Sequence, residues 1–64
     1  MSRTSAELSS IAATVDDLVK RVESIATGYA EAKREDLASE VLEVERSLAA
    51  ALRRLNRIAG APGA

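Results

Sequence analysis

The residues able to do chemistry in this chain are few. Glu40 and Glu43 stand three apart, with Glu45 close by. On a helix, carboxylates at that spacing are the raw material of bundle metal sites, which commonly complete the set with a Glu-x-x-His pair. The chain has no His and no Cys. The commonest metal ligand, the commonest general base and the thiolate are all missing. Asp16 and Asp17 form a second acidic pair, but on the outer face of the first helix. Arg53, Arg54 and Arg57 cluster near the C-terminal end and could touch phosphates. No aromatic residue stands beside them for base stacking. There is no Gly-rich phosphate loop and no readable nucleophile–base pair. Tyr29 is the only aromatic side chain. The expectation is a protein with no catalytic residues, no metal and no cofactor.

The elements that carry these residues are clearer than their chemistry. Leu8, Ile11, Val15, Leu18, Val22, Ile25 and Tyr29 recur at alternating steps of three and four. That period belongs to a helix burying one seam against other helices. With Leu8 as position a of a heptad, Val15, Val22 and Tyr29 are also a. Ile11, Leu18, Ile25 and Ala32 are d. Ala12, Val19 and Ala26 are e, and they widen the apolar stripe. A two-stranded coiled coil usually carries charge at e, so a broad stripe points to a multi-helix bundle. Thr4-Ser5-Ala6-Glu7 reads as a capping box that starts the first helix. Asp16 with Lys20, and Asp17 with Arg21, are spaced for ion pairs on the solvated side.

A second stripe follows the same rhythm: Leu37, Val41, Val44, Leu48, Ala51, Leu55 and Ile58. Leu37 takes d in its frame, Ala38, Leu52 and Ala59 take e, and Leu42 and Ala49 widen the other side. The two frames do not join, because Ala32 and Leu37, both d, are five residues apart. A break must fall between Gly28 and Asp36. Gly28 suits a left-handed helix end. Lys33-Arg34 before Glu35-Asp36 matches a helix C-terminus and the next N-terminus, and Asp36 is placed to cap. Gly60 and Pro62 stop the second helix.

The fold class expected is therefore all-α, an antiparallel two-helix hairpin. Residues 1–3 and 60–64 form flexible ends, helix 1 covers about 4–28, the turn lies within 28–36, and helix 2 covers about 36–59. The alternative is one long helix in a coiled coil. A chain of 64 residues without disulfides or metal buries little on its own. A dimeric antiparallel four-helix bundle would complete the core. Its interface would use Leu8, Ile11, Val15, Leu18, Val22, Ile25, Leu37, Val41, Val44, Leu48, Ala51, Leu52, Leu55 and Ile58. Acid gathers in the first half of helix 2 and Arg in the second. Antiparallel copies of that helix would set Glu40, Glu43 and Glu45 near Arg57, Arg54 and Arg53 of the other copy.

Nine basic and ten acidic residues leave a net charge of −1. That balance argues against a general nucleic-acid or anionic-membrane binder. No apolar run has the length of a membrane span, and the first residues lack a signal-peptide core. The expected setting is the cytoplasm. The expected function is self-association or docking on a helix or groove of another protein. The alternatives are a nucleic-acid-associated regulator using Arg53, Arg54 and Arg57, and a carboxylate metal or hydrolase bundle using Glu40 and Glu43.

Overall fold

The structure, a computed structural model, describes residues 3–63. It contains two helices, α1 (Arg3–Glu31) and α2 (Glu35–Ala59), packed antiparallel along their lengths. The chain is thus a hairpin, and the single long helix is excluded by the turn at Ala32–Arg34. The hairpin is long and flat, with Cα extents of 48 × 14 × 10 Å.

The turn lies within the expected span of 28–36, but its left-handed residue is not the glycine. α1 continues through Gly28 for three more residues. Ala30, Glu31 and Ala32 are good helix formers, and nothing at Gly28 obliges the chain to stop. The left-handed residue is Lys33 instead, at φ 63°. The Lys33 N–H donates to the Ala30 carbonyl at 3.1 Å, and the Arg34 N–H to that of Tyr29 at 2.9 Å. These two bonds make a Schellman closure, with Lys33 where Gly is usual.

α2 starts without a side-chain cap on its N-terminal N–H groups. Arg34 is the N-cap residue, and its side chain makes no capping bond. Asp36 lies inside the first turn, where its carboxylate receives the Arg34 guanidinium in a forked contact (Nε 3.2 Å, Nη2 3.1 Å). Glu35 and Asp36 in the first turn and Arg57 in the last match the helix dipole. The Gly60 N–H closes α2 by donating to the Asn56 carbonyl at 3.1 Å. At the other terminus, Arg3 is already helical, so Thr4 lies inside α1 rather than capping it. Glu7, the other half of the expected capping box, instead faces Arg3 at 3.6 Å. Of the expected flexible ends, residues 1, 2 and 64 lie outside the described residues.

The core is thin. The fully covered positions are Ser5, Ala12, Ala26 and Ala38. Among the described residues no large side chain is completely buried.

Candidate interaction surface

Burial shows which columns of the heptads the hairpin uses for itself. In α1 the most covered residues are Ser5, Ala12 and Ala26, with Val19 half-buried among them. These are the e column, seven apart. Leu8, Val15, Val22 and Tyr29 of the a column are half-buried beside them. α2 repeats the arrangement. Ala38 is buried, and Glu45, Leu52 and Ala59 at e are half-buried, as are Val41, Leu48 and Leu55 at a. The internal seam is therefore a/e in both helices.

One hydrogen bond sets the register. The Ser5 hydroxyl donates to the Ala59 carbonyl at 2.9 Å, linking the two ends of the hairpin. Stepping seven residues along each helix from there places Ala12 opposite Leu52, Val19 opposite Glu45 and Ala26 opposite Ala38. Ala12 and Leu52 do share the lining of one shallow groove of about 290 Å³, along with Ser9, Ala13, Asp16 and Asn56. Small side chains at e draw the helices together, while the larger a residues fill one flank. Glu45 is the one carboxylate at a seam position, opposite Val19.

Turning the seam to a/e moves the d columns outward. On a helical wheel d lies about 80° from the centre of an a/e seam, on the a side. In an antiparallel pair the same rotation carries both d columns to one broad side of the hairpin. That side holds Ile11, Leu18 and Ile25 of α1 and Leu37, Val44, Ala51 and Ile58 of α2. Ile11 (51%), Ile25 (52%), Val44 (51%) and Ile58 (50%) are half exposed there. These four supply most of the exposed large aliphatic side chains among the described residues; the other is Leu42. The opposite broad side carries the b columns: Ser9, Asp16, Glu23 and Asn56, with Leu42 and Ala49. The groove lies on that side and is shallow, with Ser9, Asp16 and Asn56 beside Ala12, Ala13 and Leu52 in its lining.

The interface residues expected from the sequence thus separate into two groups. Leu8, Val15, Val22, Val41, Leu48, Leu52 and Leu55 stand at the intramolecular seam. Ile11, Leu18, Ile25, Leu37, Val44, Ala51 and Ile58 form the outer apolar face. Sequence reasoning missed Ser5 and Glu45 as seam residues, because both are polar. The strict spacing of small residues at Ser5, Ala12 and Ala26 was the signal that marked the seam.

The charged residues separate as well. Glu43 accepts from Arg46 Nη1 at 2.6 Å within its own helix. Asp16 pairs with Lys20 at 3.3 Å, while Asp17 and Arg21 form no such pair. Glu40, Arg53, Arg54 and Arg57 join no ion pair among the described residues. Arg53, Arg54 and Arg57 occupy columns f, g and c, which form one exposed arc on the outer side of α2, away from the seam. Asp36 is the titrating group whose surroundings act most clearly: the Arg34 guanidinium, then the Leu37 backbone N–H, hold its carboxyl below the usual 3.8. Among the described residues no three His, Cys, Asp or Glu side chains gather to hold a metal ion. Nor is any helix long and apolar enough to cross a membrane. Comparison of the chain with protein-family models, with curated proteins and with solved structures found no match.

Proposed function

We propose that this chain is a non-enzymatic self-association module whose hairpins stack in pairs as a dimeric antiparallel four-helix bundle. The observation that supports it is the outer apolar face: two d columns, one from each helix, brought to one side and left half in water. The face measures about the 48 × 14 Å of the hairpin between Cα atoms. A standard-size interface takes about 800 Å² from each partner, and this face is of that order. Its aliphatic composition matches the buried core of a homodimer better than the rim of a transient contact. The hairpin's own core is thin, which gives little to favour the isolated state.

The test is sedimentation equilibrium at low micromolar concentration. A dimer mass is expected. Ile25→Asp, which puts a charge on the turn-side half of the face, is expected to give monomer. A wild-type protein that is monomeric and fully helical at that concentration would overturn the proposal.

A further inference from the structure

Beside each outward d column runs a g column, at the rim of the same face. In α1 it reads Glu7, Thr14, Arg21. In α2 it reads Glu40, Ser47, Arg54. Both helices therefore carry acid, hydroxyl and base, in that order from N to C, at seven-residue steps. All six are exposed. Arg21, Glu40 and Arg54 join no ion pair among the described residues, and Glu7 has only Arg3 at 3.6 Å, in water. A repeated acid–hydroxyl–base rim is matched by the same rim running the other way. Laid parallel it sets like charge on like charge. A second copy of this chain supplies the matching rim, which commits the face to that occupant.

Two two-fold arrangements put the d faces together with antiparallel neighbours. In one, α2 lies on α2 and α1 on α1. In the other, α1 of each copy lies on α2 of its partner, with both turns at the same end. Side-chain size separates them. The d column of α1 is large along its middle, with Ile11, Leu18 and Ile25. That of α2 is smaller at its centre, with Val44 and Ala51. Like on like would stack Leu18 on Leu18 along one edge and Ala51 on Val44 along the other. The two edges would then need different helix separations, and one would be left loose or strained. Placing α1 on α2 makes the two edges equivalent by symmetry. The register then brings Ile11 near Ala51, Leu18 near Val44 and Ile25 near Leu37, a larger residue beside a smaller one or an equal.

Resting on the self-association reading above, we infer that the bundle forms with α1 of one copy on α2 of the other, Arg21 facing Glu40 and Glu7 facing Arg54. The hairpin register leaves each rim pair offset by three residues, about 4.5 Å along the axis. Glu and Arg side chains span that offset. Thr14 then lies near Ser47 of the second copy, between the two ion pairs. This arrangement replaces the α2-on-α2 contact that the charge reversal of helix 2 alone would favour.

The chain has no native cysteine, so single-cysteine reporters give an unambiguous test. Thr14→Cys and Ser47→Cys proteins are mixed, allowed to exchange subunits and treated with a short bismaleimide. Crosslinking only in the mixture is expected. Crosslinking of Ser47→Cys alone, with little gain on mixing, would overturn the inference in favour of α2 on α2. Charge exchange gives a second reading. Arg21→Glu and Glu40→Arg should each weaken the dimer, by roughly threefold to tenfold for two rim pairs. The double variant should recover most of that loss. Rescue of Glu40→Arg by Arg54→Glu instead of by Arg21→Glu would overturn it. Sedimentation of the same samples separates the two proposals: a dimer with the wrong crosslinks defeats only this arrangement, whereas a folded monomer defeats self-association itself.

Discussion

Lys33 shows how one residue can hold a turn against its own preference. A non-glycine residue in the left-handed region costs about 1–2 kcal/mol, and Lys33 stands there at φ 63° because the Schellman bonds of Ala30 and Tyr29 require it. Lys33→Gly is expected to stabilise the hairpin by about 1 kcal/mol. In thermal unfolding that is a rise of roughly 4–8 °C for a domain of this size, and an unchanged melting temperature would contradict the assignment. Asp36 carries the other residue-scale prediction. Its folded pKa lies below the usual carboxylate value of 3.8 because of the Arg34 guanidinium. Its contribution is therefore complete above 3.8 and is lost as pH falls through the lowered folded value. The group is exposed, so the effect is small and salt-sensitive. Asp36→Asn should flatten that part of the acid-unfolding curve at low salt and change little at high salt. Neither Lys33 nor the Arg34–Asp36 fork was legible beforehand. The sequence points to Gly28 as the left-handed residue, and a helix end is chosen by the tertiary register as much as by the local residue.

Among elements, α1 is longer than its glycine suggests. Gly28 is helical and exposed, and a Cβ built on it meets nothing within 4 Å. Gly28→Ala is thus expected to stabilise α1 by roughly 0.5–1 kcal/mol, read as a higher denaturant midpoint. A loss of stability would mean that α1 bends there. The seam between the elements gives a second expectation. Glu45 is half-buried at an e position, opposite Val19 in the register set by Ser5 and Ala59. Glu45→Leu should raise stability by about 1 kcal/mol through added apolar burial. The heptads on both helices were plain in the sequence, as was the hairpin. Which column of each heptad would face the other helix was not. An apolar stripe spanning a, d and e can turn either edge inward, and the small side chains at Ser5, Ala12, Ala26 and Ala38 allow the close approach that chooses a/e.

For the whole molecule, the consequence of that choice is an apolar face that no other described residue of the chain covers. If a second copy covers it, stability depends on concentration, because association adds to the folded state by mass action. The melting temperature of the wild-type protein should rise when concentration is raised a hundredfold. Ile25→Asp should lower it and remove the dependence. Each half-exposed isoleucine on the face would contribute about 1 kcal/mol when covered, so one substitution, present in both copies, should weaken the dimer by at least tenfold in sedimentation. A melting temperature indifferent to concentration in both proteins would reject the dimer.

Residue type and spacing were enough to establish that this chain is helical, that it breaks between Gly28 and Asp36, and that it lacks the thiol and imidazole groups on which much enzyme chemistry relies. Those properties are local: propensity, period and composition can be read one stretch at a time. The division of the stripe into an inner a/e seam and an outer d face came only from the packed hairpin. Rotation of a helix about its axis is decided by what the neighbouring helix presents, here Ser5 against Ala59 and alanines at the narrow points. That rotation turned one broad stripe into two surfaces, one spent inside the hairpin and one left half in water.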